Sequence, residues 1–196
     1  MLYIEELRTI ASVRTGYTFR EKIETRIEGD ILVLQPKDIQ DKSVFTDSAR
    51  VQSSTLNSLE THVLKGGDIL ITNKGLKFAV FLFNKVQYKS IASSSFFVIS
   101  PNQDVVIPEY LIWYLGQDDA KNYLVAKATG TVIPSITKPT IERLKVTLPS
   151  LETQKQIVEL LQITSEELQK LAILQERKKE LYNTFIWEAI DGEKEK

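Results

Sequence analysis

Residues 152–188 contain neither Gly nor Pro, and their apolar side chains recur in a seven-residue register. Ile157, Leu171 and Phe185 are multiples of seven apart, as are Leu161 and Leu168, and Leu174 and Leu181. Seven residues are close to two helical turns, so these side chains line one stripe of a single long helix. At 1.5 Å per residue a helix of this length reaches roughly 55 Å, farther than a domain built from the rest of the chain is wide. The preceding domain therefore cannot bury the whole stripe, and a second helix is expected to cover it. Thr164, Glu167, Gln175 and Lys178 interrupt the seam, which predicts a partly polar antiparallel coil rather than a strong zipper. Ile157, Leu161, Leu168, Leu171, Leu174, Leu181 and Phe185 are the expected dimer-interface residues. The periodicity starts after Pro149, so the sequence divides into a globular part, 1–149, and a helical part, 150–196.

Within the globular part the pattern is mixed. Apolar positions at residues 2–13 fall near a helical stripe that ends by Gly16, predicting an opening amphipathic helix. From residue 31 to 100 short β-rich runs take over: 31–34, 69–72, 78–83 and 95–99, separated by Gly, Asn, Asp and Ser. Phe78, Phe81, Phe83, Phe96 and Phe97 sit in these runs as strand-core residues. Residues 41–62 are polar and read as a long surface loop with a helical turn near 58–63. Pro108 and the pair Asp118 and Asp119 mark the starts of two further helices, and 144–149 reads as a closing strand. The expected fold class is α+β: a mixed, antiparallel-rich sheet with flanking helices, followed by one long coiled-coil-type helix.

Composition removes most chemistry. There is no Cys and one His, so thiolate catalysis, disulfides and the usual Cys or His zinc sites are excluded, and no metal ligand set is expected. No Gly-rich phosphate loop and no adenine-methyltransferase tetrapeptide occur. The acid-x-Lys matches at Asp119 and Glu176 lie in predicted helices, where a nuclease site would need a strand end. His62 has no partner identifiable from spacing, so a catalytic role is not expected. No catalytic residue and no cofactor are expected. The first ten residues carry two Glu and lack the apolar run of a signal peptide, and no stretch is long and apolar enough to span a membrane. A cytoplasmic protein with no membrane partner is the expectation.

The net charge is −1, from 25 basic and 26 acidic side chains, so any polyanion must be met by a local patch. Two windows have no acid at all. Residues 69–103 carry Lys74, Lys77, Lys85 and Lys89, and residues 120–141 carry Lys121, Lys127 and Lys138. Around them lie Asn73, Gly75, Ser93 to Ser95, Thr129 to Thr131, Ser135 and Thr137. Lysines, hydroxyls and free backbone N–H groups suit phosphate contacts. The competing reading is that these strands are simply buried and their lysines solvated.

In chain order the segments form a recognisable series. Ser12-Val13-Arg14-Thr15-Gly16-Tyr17-Thr18-Phe19-Arg20 comes first, then Lys65-Gly66-Gly67-Asp68-Ile69-Leu70-Ile71-Thr72-Asn73-Lys74-Gly75, then Pro108-Glu109-Tyr110-Leu111. Thr129-Gly130-Thr131-Val132-Ile133-Pro134-Ser135-Ile136-Thr137 follows, and Leu148-Pro149-Ser150-Leu151-Glu152-Thr153-Gln154-Lys155-Gln156-Ile157 leads into the long helix. This order, with the Leu-Pro-x-Leu-Glu-x-Gln-x-x-Ile junction as its most specific part, resembles the specificity subunit of type I restriction-modification systems across nearly the whole chain.

The resemblance implies a non-catalytic subunit that reads double-stranded DNA. Members usually carry two target-recognition domains and two antiparallel spacer helices; this sequence shows one of each and so resembles a half-length form. A twofold homodimer would then read two inverted copies of one short sequence. It would recruit adenine-methylating modification subunits and an ATP-driven restriction subunit, with the modification subunits completing a clamp that a near-neutral domain closes weakly alone. Matching the family motifs to the acid-free windows makes Lys74, Lys77, Thr129, Thr131, Ser135 and Lys138 candidates for DNA contact, with Arg14, Tyr17 and Arg20 next. Two alternatives stand beside this. Residues 129–139 also read as a structural crossover loop, and the chain as a protein-interaction adaptor that does not itself read DNA.

Overall fold

The computed structural model describes residues 3–23, 29–39, 48–56, 58–84 and 88–194. Lys85, one lysine of the first acid-free window, and residues 41–47 and 57 of the expected 41–62 loop lie outside them. The chain falls into two compact units, residues 1–154 and 155–196.

The first unit opens differently from the expected helix. Strand β1 (Tyr3–Glu6) is followed by a single helical turn, α1 (Leu7–Ile10), and strand β2 (Ala11–Thr15). Sheet partners decide this. β1 pairs antiparallel with β9 (Lys145–Leu148), the strand just before the long helix, and β2 pairs with β8 (Phe96–Pro101). Leu7 and Ile10 are one helical turn apart and both buried, whereas Ala11 and Val13 alternate as strand residues do, with Ser12 exposed between them. A stripe spread over 2–13 is thus two periods read as one.

Nine strands form three sheets among the described residues. The four-stranded sheet runs β2-β8-β5-β6, all antiparallel, with β5 at Ile69–Thr72 and β6 at Val80–Leu82. A three-stranded sheet places β3 (Ile31–Leu34) between antiparallel β4 (Ala49–Val51) and parallel β7 (Lys89–Ala92). Strands β4 and β7 were not legible in the sequence. The expected helical turn after residue 58 is a 3-10 turn at Leu59–Thr61.

All four side chains of β3 are buried, because the strand has a core on each face. Leu32 and Leu34 pack with Leu70, Phe83, Ala92, Phe96 and Val98, joining the two sheets. Ile31 and Val33 face the other way, with Val51 and Ile91, against Tyr17, Phe19, Ile23, Leu56 and Leu59. Phe78, Phe83, Phe96 and Phe97 are buried, and Phe81 packs against the first core, so the aromatic run is core as expected.

Helices α2 (Pro108–Leu115) and α3 (Asp118–Lys127) form where Pro and the paired acids announce them. Tyr110 ties α2 to β9, its hydroxyl donating to the Thr147 carbonyl at 2.6 Å. At the end of the expected 129–139 loop a short helix, α4 (Lys138–Glu142), begins, capped by Thr137, whose hydroxyl accepts from the Thr140 N–H. Helix α5 runs from Leu151 to Lys194, 44 residues or roughly 66 Å.

The Leu-Pro-x-Leu-Glu-x-Gln junction acquires a physical role here. Ser150 caps the start of α5 through the Thr153 N–H, and Gln154 is fully buried. The Gln154 side-chain oxygen accepts from the Ile107 N–H at 2.9 Å, and its nitrogen donates to the carbonyls of Val105 and Pro149. One amide thereby closes three backbone groups that would otherwise be buried unpaired. Gln154→Leu keeps the volume and removes all three bonds. We expect it to lower unfolding free energy by about 1–3 kcal/mol in urea denaturation, the cost of orphaning buried backbone groups.

Candidate nucleic-acid interface

Strands β2 and β5 lie on either side of β8 and run antiparallel to it, with Thr15 opposite Phe97 and Thr72 opposite Phe96. Their C-terminal ends must therefore emerge together, at the end of the sheet where β8 begins. The motif segments following β2 and β5 flank the turn at 93–95. On one side Tyr17 bridges to Ser93, its N–H donating to the Ala92 carbonyl at 2.7 Å. Gly16 approaches so closely that a Cβ there would sit 2.1 Å from the Ser93 oxygen, which only glycine avoids. On the other side the Asn73 amide donates to the Ser94 carbonyl and its backbone N–H to that of Ser95.

The 129–136 loop is stitched to the same edge. Gly75 N–H donates to the Pro134 carbonyl at 2.9 Å, Ile136 N–H to the Asn73 carbonyl at 3.0 Å, and Lys74 and Ser135 form a bridge. Thr129 and Ser135 close the loop by exchanging backbone hydrogen bonds. Gly130 sits at φ +102°, where a Cβ would also press on the Ile133 carbonyl, and Gly75 at φ +122°. Ile136 is buried and anchors the loop.

The candidates from sequence thus separate into three groups. Lys74, Lys77, Thr129 and Thr131 are exposed on the stitched loops, with Ser135 half-buried at their junction. Lys138 is exposed and pairs with Glu142 one turn along α4 at 3.4 Å. Beside Leu76, Val132 and Ile133, which are 82%, 88% and 61% exposed, these residues make a projection that is cationic, hydroxyl-bearing and apolar at its tips.

Tyr17 and Arg20 belong to a second feature, a cavity of about 910 Å3 lined also by Phe19, Lys22, Ile23 and His62. Tyr17 meets both Phe19 and His62 edge-on, with ring centroids 4.8 and 5.2 Å away.

Arg14 is turned inward. Its guanidinium donates to the Asp68 carboxylate at 3.1 Å, the Ser100 hydroxyl at 2.9 Å and the Val63 carbonyl at 3.2 Å. Asp68 is 3% exposed and also accepts from the Ser100 hydroxyl at 2.6 Å and the Lys65 N–H. This network is what the Gly-Asp-Ile-Leu motif encodes, and sequence reading missed it because Arg14 and Ser100 are 86 residues apart.

His62 is half-buried in the lining of the same cavity as Tyr17. Burial, and then the positive charge of Arg14, hold its pKa below the usual 6.5. The folded chain therefore takes up this proton only at lower pH than the unfolded chain does. The contribution is full above pH 6.5, the unfolded value, and is lost as pH falls from there through the lower folded-state pKa. Replacing His62 with Gln should make the fall in urea midpoint between pH 7.5 and pH 5.5 smaller than in the parent chain; an equal fall in both would locate the effect elsewhere.

The comparisons with known proteins agree with this architecture. The family model described as the type I restriction modification DNA specificity domain matches residues 4–179. The HindI type I restriction enzyme specificity subunit of Haemophilus influenzae is 29% identical over 102 residues, covering 50% of this chain and 22% of that subunit. Three solved structures share the fold. A type I restriction-modification S subunit from M. genitalium has a TM-score of 0.58 at 16% identity, over 88% of this chain and 41% of that one. The HsdS subunit from Thermoanaerobacter tengcongensis has a TM-score of 0.63 at 19% identity, over 87% and 43%. A structure describing complex assembly and conformational transition of a type I R-M system has a TM-score of 0.65 at 19% identity, over 88% and 44%. The chain spans less than half the length of each. With its family match running from the first strand far into the long helix, the chain belongs to the type I restriction modification DNA specificity domain family.

Proposed function

We propose that this chain is a non-catalytic DNA-reading subunit of a type I restriction-modification system. Its globular unit grips a short half-site of double-stranded DNA, and its long helix pairs with that of a second copy. The two heads then address an inverted repeat and hold modification and restriction subunits on it. The observation that carries the reading is the stitching of loops 73–77 and 129–136 at one sheet end, which gathers Lys74, Lys77, Thr129, Thr131 and Ser135. Lysines and hydroxyls there meet phosphates, and the exposed apolar tips suit base edges such as thymine methyl groups. Tyr17 and Arg20, in the separate cavity lining, offer further contacts to the same duplex. Arg14 acts inside the domain, holding the strands that present it.

Phosphate contacts release counterions, so the salt dependence of binding counts them. With Lys74→Glu and Lys77→Glu together, we expect duplex DNA binding to weaken across sequences and the log–log salt slope to fall by about two units. An unchanged slope in the assembled complex would favour the adaptor role instead.

For the helix, Leu171 and Leu174 are 58% and 50% exposed within one chain. Leu171→Glu with Leu174→Glu should convert a sedimenting dimer to monomers, because the interface would bury unpaired charge. A parent chain that sediments as a monomer would remove the twofold assembly while leaving DNA reading intact.

A further inference from the structure

The seam of α5 fixes how two copies would meet. Numbering the heptad so that Ile157 is position a, the a residues are Ile157, Thr164, Leu171, Lys178 and Phe185, and the d residues are Leu160, Glu167, Leu174, Leu181 and Glu188. All of these but Ile157, which is half-buried, are exposed in the single chain. In an antiparallel pair each a residue faces a d residue of the other helix, so choosing one pair sets every other.

Resting on the twofold pairing proposed above, we infer that the second copy docks in the register that sets Leu171 against Leu174, so that Lys178 of each chain meets Glu167 of the other. Only this register pairs Glu167 with Lys178, the two opposite charges in the interior of the seam, and it leaves Glu188 at the helix end. It also sets Leu160 against Phe185, Thr164 against Leu181 and Ile157 against Glu188. Shifting by one heptad in either direction puts Lys178 on Leu160 or Leu174 and Glu167 on Leu171 or Phe185, burying four charges against apolar side chains across the dimer. A parallel pair would be worse, with Lys178 on Lys178 and Glu167 on Glu167.

The flanks fit unequally. On one, Leu161 approaches Tyr182 and Leu168 approaches Gln175; on the other, Lys170 and Arg177 fall opposite each other and extend into solvent. Thr164 needs no partner in the seam, because its hydroxyl already donates to the Leu160 carbonyl of its own helix at 2.8 Å. The register overlaps residues 151–194 of each helix along their whole length.

A chain without cysteine makes the test direct. Leu160→Cys with Phe185→Cys in the full chain should give, under mild oxidation, a covalent dimer that single-cysteine variants do not give. Cross-linking by Leu160→Cys with Lys178→Cys, or by Leu171→Cys with Leu181→Cys, would instead report a shifted register and overturn the inference. Cross-linking by Phe185→Cys alone would report a parallel pair and do the same. In sedimentation, Glu167→Lys alone should weaken the dimer about tenfold or more, and adding Lys178→Glu should restore it, since the pair is then inverted rather than broken. No rescue would overturn the charge pairing. A monomeric parent chain would remove the dimer itself, a result distinct from a dimer in another register.

Discussion

A half-buried guanidinium and a buried carboxylate hold the first unit in register. Arg14 lies on β2, Ser100 on β8 and Asp68 immediately before β5, so the network spans the three strands that carry the motif loops. Side chains alternate across a sheet, and a slip of one residue would turn Arg14 to the opposite face and leave Asp68 buried without its counter-charge. Removing one partner of such a pair costs roughly 3–5 kcal/mol, far more than a shifted ladder hydrogen bond. The network therefore favours one alignment of β2, β8 and β5 over all neighbouring ones.

That alignment is what gives the candidate interface its geometry. Because β2 and β5 both oppose β8, the loops at their ends cannot be separated, and a shift in either strand would move its loop by about 3.3 Å per residue. The loops are also constrained locally. Glycines at positive φ turn residues 75 and 130, backbone hydrogen bonds close the 129–135 loop on itself, and others lock it to 73–75. Lysines on such loops have flexible side chains on a fixed base, which suits phosphates at set spacing with side-chain adjustment between sequences.

The legible parts of the sequence were those with one strong period or a local signal. The heptad of α5, the Pro and Asp starts of α2 and α3, and the runs at 31–34 and 69–72 depend on residues close in the chain. The opening segment misled because Leu7 and Ile10 keep helical spacing between two strands whose partners, β9 and β8, lie more than eighty residues away. Strand β7 was hidden because Lys89-Ser90-Ile91-Ala92 has little β-branched content, and its pairing with β3 crosses more than fifty residues. The motif loops could be named as candidates from their charge, but their convergence follows from strand order, and the inward turn of Arg14 follows from Asp68. Neither is written in local composition.

The polar residues of the α5 seam follow a different logic from the core. A helix with Leu at every a and d position would bind more tightly but would accept several registers, because leucine layers are interchangeable. Each register would place the two globular heads at a different separation. A DNA reader that addresses two half-sites needs one separation, since a heptad of slip moves one helix along the other by about 10 Å, roughly three base pairs. In the proposed dimer Glu167 and Lys178 would exact a loss of apolar contact for that definition, and Thr164, whose hydroxyl bonds within its own turn, would limit it. In the proposed dimer the same imperfections that made the stripe look weak as a zipper would set the distance between the heads.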